Sequence, residues 1–152
     1  GWQCALTVPR ELSMRSGKLC QQPAHEIERM RGDCVRATGG ETVEEPGRLF
    51  DLVVSCEGAK MVELEIRKGV FVRYADGMLT LDMGDEGYGR DQRSIELSEL
   101  RDLRVLSDTT MVEIFANSGE AALTSRTYSP AVPAMALHAE GAASMDFYRL
   151  AR

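Results

Sequence analysis

The segment from Leu103 to Tyr128 constrains the fold most, because its side chains alternate with the period of an extended chain. Val112, Ile114 and Ala116 fall on one face of such a chain, and the residues between them fall on the other. Period-two placement of β-branched and aromatic residues predicts a β-strand. We therefore expect a strand with one face in a hydrophobic core, and we expect Phe115 to be a core residue of this segment.

Two turn signals flank this strand. Asp108-Thr109-Thr110 begins with an Asp, whose side chain can bond its own backbone. Asn117-Ser118-Gly119-Glu120 contains Asn and Gly, which tolerate positive φ. The segment as a whole therefore predicts three antiparallel strands joined by two tight turns.

The rest of the chain continues in the same way. From Cys34 onward, strand-like runs alternate with turn residues, which gives roughly ten to twelve strands in all at the spacing of a β-sandwich. Ala24, Ile27 and Met30 recur at helical spacing and predict a short helix from Pro23 to Arg31. The expected fold is all-β: a two-sheet antiparallel β-sandwich of the lectin-like jelly-roll kind, with one short helix near the N-terminus.

The composition bounds the function. The chain has 152 residues with 43% hydrophobic content, enough for one domain. A net charge of −6 without a basic patch argues against nucleic acid and anionic membrane surfaces as partners. No apolar run approaches the roughly 20 residues that a membrane-spanning helix needs. The four cysteines lack Cys-x-x-Cys spacing, so we expect no metal site, and we favour a reducing, cytoplasmic setting.

The meander also carries a family resemblance. The middle strand, the Asn-x-Gly-Glu turn and the Thr-Ser-Arg-x-Tyr run contain the residues that match: Asp108, Val112, Glu113, Ile114, Phe115, Asn117, Gly119, Glu120, Thr124, Ser125, Arg126, Tyr128 and Pro130. The segment resembles the C-terminal sandwich of glycoside hydrolase family 32, the family of invertases, sucrose-6-phosphate hydrolases, levanases and inulinases. Ser118 departs from the family's usual Asp, and Ser129 is inserted before the Pro. Neither change threatens the turn or the strand.

A second match lies at the start of the chain. Trp2, Ala5, Leu6, Thr7, Pro9, Arg10, Glu11 and Leu12 resemble the segment through which this family passes from its catalytic propeller to its sandwich. Alternation from Trp2 to Thr7 predicts a strand there. The resemblance implies that residues 1–9 are a remnant of the propeller or its linker and that residues 10–152 are the sandwich. It also implies that Trp2, Leu6 and Tyr128 pack between the two domains.

The resemblance implies a retaining β-fructosidase acting on sucrose, sucrose-6-phosphate or fructans. Such an enzyme needs a pair of carboxylates about 5 Å apart, and the family carries them on a five-bladed propeller in Asn-Asp-Pro, Arg-Asp-Pro and Glu-Cys segments. None of these segments occurs in this chain. We therefore assign no catalytic residue and expect no activity from this chain alone. The expected role is to support the propeller of the same polypeptide and to contribute to a homodimer, without a cofactor.

The alternative is an independent lectin-like carbohydrate-binding module. Sugar-binding surfaces present an aromatic ring with polar neighbours, and the candidates are Trp2, Tyr74, Tyr88 and Tyr128. Packing roles are favoured for the others, which leaves Tyr88 as the speculative carbohydrate-binding residue. The match over Trp2 to Leu12 favours the first function, because a free-standing module has no reason to keep a linker.

Overall fold

The computed structural model describes residues 5–151. Within this range the chain forms fourteen β-strands and two short 3-10 helices, at His25–Met30 and Gly84–Gly87. The strands are β1 (Arg10–Arg15), β2 (Lys18–Pro23), β3 (Arg31–Thr38), β4 (Thr42–Glu44), β5 (Phe50–Ser55), β6 (Met61–Arg67), β7 (Val70–Ala75), β8 (Met78–Asp82), β9 (Gln92–Glu96), β10 (Asp102–Ser107), β11 (Met111–Ala116), β12 (Ala121–Arg126), β13 (Ala134–Glu140) and β14 (Ser144–Leu150). No helix in this range is long and apolar enough to cross a membrane.

Twelve strands form two six-stranded antiparallel sheets. The first sheet has the order β12-β11-β10-β5-β14-β3, and the second has the order β4-β13-β6-β7-β8-β9. Strands β1 and β2 form a separate hairpin, with a turn at Ser16-Gly17 between them. The predicted antiparallel β-sandwich is confirmed.

The core lies between the two sheets. Val112, Ile114 and Ala116 point into it, as the alternation predicts. The rings of Phe50 and Phe147, on neighbouring strands of the first sheet, lie 5.4 Å apart in the same core. Burial of such large apolar side chains is the main favourable contribution to folding.

The first sheet is also covered on its outer face. All six residues of β11 are buried, although alternate residues of a strand point to opposite faces. Phe115 is only 2% exposed, yet it is not part of the core between the sheets; the Arg10 guanidinium lies 5.1 Å from its ring centre. The prediction that Phe115 is a buried core residue is confirmed, but its ring lies in a second buried layer, which residues near the N-terminus form on this face.

Two local predictions near the N-terminus also need correction. The helix expected from Pro23 to Arg31 is a 3-10 helix limited to His25–Met30, without a side-chain cap at its start and without a buried residue. With neither a cap nor an apolar face in the core, six residues have little to stabilise an α-helix. The described part of the expected strand at Trp2 to Thr7 is irregular, and the chain continues irregularly to Val8, whose N–H donates to a side chain instead of a neighbouring strand.

The turn between β11 and β12 holds the β1–β2 hairpin in place. Asn117, Ser118 and Gly119 all have positive φ. Asn and Gly tolerate the left-handed region, as predicted, and Ser118 adopts it between them. The Gly119 carbonyl accepts a hydrogen bond of 2.9 Å from the Gln21 N–H. A Cβ at Gly119 would lie 2.1 Å from the Gln21 carbonyl oxygen, so only glycine lets the hairpin approach this closely.

We expect Gly119→Ala to lower the free energy of unfolding by about 2–3 kcal/mol, because it combines a clash with backbone and a positive φ of 89°. Gly17→Ala is the matched control, since φ is also positive (77°) there but no atom lies within 4 Å of the new Cβ. The control should lose only about 1 kcal/mol. Urea denaturation measures both values. Equal losses would show that the hairpin does not depend on the close approach at Gly119.

Candidate functional site

The two segments that match the family, about a hundred residues apart in the sequence, meet on the outer face of the first sheet. The Val8 N–H donates to Glu113 Oε1 at 2.7 Å, and Arg10 Nη2 donates to Glu113 Oε2 at 2.5 Å. The same Arg10 nitrogen lies 2.8 Å from Thr124 Oγ1. We call Val8, Arg10, Glu113 and Thr124 the N-terminal clamp. Its members fix the path of the chain as it enters the sandwich.

The clamp is built from buried charge. Glu113 is 2% exposed, and the side chain of Arg10 is 18% exposed. A carboxylate held by a guanidinium and a backbone N–H forms strong charge-assisted hydrogen bonds, and removing either partner leaves an uncompensated buried charge. Arg10 Nη1 also donates to Gln21 Oε1 at 3.0 Å, which links the clamp to β2. The entering segment is therefore fixed to both the hairpin and the sheet.

The turn after β11 reinforces the hairpin from the other side. Gln22 Nε2 donates to the Ser118 carbonyl at 2.8 Å, and Lys18 Nζ lies 3.0 Å from Glu120 Oε2. The Asn117 amide bonds to the Arg101 N–H and the Glu99 carbonyl, both at 2.9 Å. The Asn-x-Gly-Glu motif thus orders a loop and positions the hairpin.

A second buried charge cluster lies farther along the same face. Asp51 is fully buried and accepts from Arg31 Nε at 2.7 Å and from Arg104 Nη2 at 2.7 Å. Arg104 also reaches Glu28 of the 3-10 helix at 3.3 Å. The Arg31 guanidinium lies 4.3 Å from the centre of the Tyr148 ring. This cluster joins the 3-10 helix and β3 to the middle of the sheet.

The buried carboxylates stabilise the fold. Among residues 5–151, Asp51 and Glu113 are the buried carboxylates, and both are bound by arginine. Charge-assisted hydrogen bonds from guanidinium groups satisfy both buried carboxylates. The two carboxylates therefore hold arginine side chains of different segments against the sheet.

The predicted site residues lie in two places. Leu6 is 95% exposed in the entering segment, while Trp2 lies outside the described residues. Tyr88 and Tyr128, expected to have different roles, contact each other edge to face with ring centres 6.3 Å apart. Both are exposed, and Arg126 lies over the Tyr128 ring at 5.4 Å. Tyr74 is buried and donates to the Leu97 carbonyl, in agreement with the packing role favoured for it.

Sequence reasoning did not find the cavity beside the clamp. It has a volume of about 230 Å³ and is mainly apolar, with Val8, Ile27, Met30, Leu106 and Met111 in its wall. These residues come from the entering segment, the 3-10 helix and two strands, so no local pattern could have revealed it. Arg10, Glu113 and Thr124 were found as members of the two motifs, but their mutual contact was not.

Three exposed residues cluster where the 3-10 helix meets β1. His25 Nδ1 lies 2.6 Å from Glu11 Oε1, and His25 Nε2 lies 3.5 Å from Glu26 Oε1. The hydrogen bond with Glu11 raises the pKa of His25, and the same bond lowers the pKa of Glu11. The stabilisation from this pair is present above the unfolded pKa of Glu11 and is lost as pH rises through the raised pKa of His25. The cluster is a surface ion pair that ties the helix to the hairpin.

Comparison with known proteins finds relatives that match most of this chain. The model described as "Glycosyl hydrolases family 32 C terminal" matches residues 60–150. Raffinose invertase of Escherichia coli is 36% identical, over 86% of this chain and 30% of the relative. Sucrose-6-phosphate hydrolase of Salmonella typhimurium is 31% identical, over 86% of this chain and 27% of the relative. The chain thus spans less than a third of the length of these curated relatives.

Solved structures agree on the fold. The sucrose-6-phosphate hydrolase from Lactobacillus gasseri matches 93% of this chain and 33% of its own, with a TM-score of 0.79 and 17% identity. The β-fructofuranosidase BmSUC1 of Bombyx mori matches 96% of this chain and 33% of its own, with a TM-score of 0.74 and 21% identity. In both cases the sandwich corresponds to one part of a longer protein.

Proposed function

Because this chain belongs to glycosyl hydrolase family 32, as its C-terminal domain, we propose that it is the non-catalytic sandwich of a retaining β-fructosidase. The longer polypeptide would hydrolyse sucrose, sucrose-6-phosphate or fructans on an N-terminal five-bladed propeller. This sandwich would hold the propeller in place. The relatives named as invertase and sucrose-6-phosphate hydrolase support this reading, since the chain corresponds to about 30% of their length.

The observation that carries the proposal is the N-terminal clamp. Residues of both family motifs converge on Glu113, which binds Val8 and Arg10 of the segment that enters from upstream. The buried ion pair fixes the direction in which this segment reaches the sheet. A rigid connection of this kind would set where the upstream domain lies.

Exposed apolar residues beside the clamp suit a docking surface. Leu6 precedes it, and Leu12, Met14 and Leu19 of the hairpin are each more than half exposed. Met14 and Leu19 are direct partners in the β1–β2 register, so their side chains share one face. Clustered apolar exposure of this kind marks an interaction surface. We assign the surface to the propeller, together with Trp2, which lies outside the described residues.

A homodimer is the second assembly proposed for this domain, and the same hairpin face would serve it. Sedimentation of the 152-residue chain separates the two assemblies. A dimer that Leu12→Glu dissociates would favour contact between copies, whereas a monomer at high concentration would favour contact with the propeller.

We also propose that the protein works in the cytoplasm. Cys20, Cys34 and Cys56 are free thiols, and burial raises the pKa of the Cys56 thiol to about 11. Free thiols support a reducing, cytoplasmic setting. The lectin-like module is not favoured, because the relatives carry this domain within a longer hydrolase.

Hydrolysis of sucrose tests the proposed function. The polypeptide that continues upstream of Gly1 should release glucose and fructose, and the 152-residue chain at the same concentration should release neither. Replacing the Asp of the upstream Asn-Asp-Pro segment by Ala is the control for chemistry on the propeller. Release of fructose by the 152-residue chain, or full activity of the Asp variant, would contradict the proposal.

A further inference from the structure

A groove rich in arginine and tyrosine lies where the edges of the two sheets meet. It consists of two adjoining hollows of about 200 and 190 Å³ that share Arg90 and Arg126. Arg93, on edge strand β9, and Ser125, on edge strand β12, line the first hollow. The rings of Tyr88 and Tyr128 line the second. We call these residues the arginine–tyrosine groove.

The charge of the groove is opposite to that of the chain. The net charge is −6, yet three arginines and no Asp or Glu line the two hollows. Arg90 and Arg93 are exposed and take part in none of the salt bridges among residues 5–151. Cations that line one concave surface repel each other, and an anion bound between them offsets this repulsion. The electrostatics of the groove therefore favour an anionic ligand.

A buried hydroxyl in the first hollow points to the same conclusion. Ser125 is 5% exposed, and its Oγ has no hydrogen-bond partner among the described residues. Buried polar atoms normally have partners, so an unpaired hydroxyl in a residue that lines a hollow could bind a ligand that reaches it. A hydroxyl beside several guanidinium groups provides the donors that phosphate oxygens require.

The second hollow presents an aromatic ring. Tyr88 is 76% exposed and has a φ of 50°, which is unfavourable for a residue with a bulky side chain. The preceding 3-10 helix, Gly84–Gly87, ends at this residue, and the Tyr128 ring supports Tyr88 at 6.3 Å. Strain that holds an exposed ring beside a charged hollow suggests that the ring has a ligand.

We propose that the arginine–tyrosine groove binds the phosphate monoester of a small sugar. The phosphate would lie in the hollow of Arg90, Arg93 and Ser125, and the sugar ring would pack on Tyr88. The inference rests on the proposed function in one respect: an enzyme that hydrolyses phosphorylated sucrose works where phosphorylated sugars are present. Binding is measured on the 152-residue chain without hydrolysis, so failure of the inference and failure of the proposed function are distinguishable.

Titration calorimetry with fructose 6-phosphate, inorganic phosphate and fructose tests the inference. Fructose 6-phosphate should bind about tenfold more tightly than inorganic phosphate, because the ring adds contact with the aromatic side chain. Fructose should bind at least about tenfold more weakly than fructose 6-phosphate, because it lacks the charge-assisted hydrogen bonds. Equal binding of fructose and fructose 6-phosphate, or no binding of the phosphorylated sugar, would overturn the proposal.

Variants separate the two halves of the groove. The double variant Arg90→Gln, Arg93→Gln should weaken binding of both phosphate compounds by about tenfold or more. Tyr88→Ala should remove the advantage of fructose 6-phosphate over inorganic phosphate. Arg15→Gln, an exposed arginine at the hairpin turn, is the matched control and should change nothing. If Arg15→Gln weakened binding as much as the double variant, the ligand would be responding to net charge and the groove would not be its site.

Discussion

Replacing Arg67 with Ala is expected to lower the free energy of unfolding by about 3–5 kcal/mol. Arg67 is fully buried, and its guanidinium donates to Ser107 Oγ at 2.8 and 3.0 Å. It also donates to the carbonyls of Ser129 and Arg48 at 3.1 and 3.0 Å, and to that of Asp108. Alanine would leave these acceptors without a donor. It would also open a cavity between the sheets and the segment that joins β12 to β13 at Ser129.

The hydrogen bonds can be separated from the packing. Burial lowers the pKa of Arg67 to about 10, so the side chain is still charged at neutral pH. Removing this charge from water costs free energy, which the hydrogen bonds offset. Arg67→Met keeps much of the volume and removes every donor, and it should still lose about 2 kcal/mol. Lys68→Ala, an exposed neighbour, should change stability by less than about 0.5 kcal/mol. Denaturant unfolding at neutral pH measures all three variants, and a methionine variant as stable as the parent would contradict a role for the hydrogen bonds.

Asp51→Ala is expected to cost about 3–5 kcal/mol as well, because it leaves Arg31 and Arg104 without their shared carboxylate. The aspartate itself is fully buried, and both arginine side chains are less than one-fifth exposed. The loss should appear in chemical denaturation at neutral pH. It should also loosen the 3-10 helix, since Arg104 holds Glu28.

The matched control for Asp51 lies on the neighbouring strand. Asp146 also pairs with an arginine, Arg36, at 2.7 Å, but the Arg36 side chain is 72% exposed. Exposed pairs contribute little, so Asp146→Ala should cost less than about 1 kcal/mol. Similar losses for the two aspartates would show that burial of the Asp51 cluster does not matter to the fold.

The strands could be predicted because their information is local. Val112, Ile114 and Ala116 lie two residues apart and meet the same core, so alternation alone places them. Arg67 shows the limit of that reasoning. In a regular strand Arg67 would lie on the face opposite Val62, Leu64 and Ile66, but a register shift between Glu65 and Arg67 in the β6–β7 pair accompanies its burial.

The contacts of the site could not be predicted because they are not local. Arg10 meets Glu113, and Tyr88 meets Tyr128, across long stretches of chain whose relative positions only the folded sandwich defines. The family motifs identified Arg10, Glu113 and Thr124 as a set of residues. Their common role in anchoring the entering segment became visible only when the two motifs were placed on the same face.

Thermal inactivation of the longer polypeptide tests most directly whether this domain supports a catalytic one. Sucrose hydrolysis would be followed after heating the polypeptide that continues upstream of Gly1, with and without residues 10–152. We expect the truncated protein to lose activity much faster, and Arg10→Ala, which breaks the N-terminal clamp, to give an intermediate rate. A truncated protein that retains its activity as long as the complete one would contradict the supporting role of the sandwich.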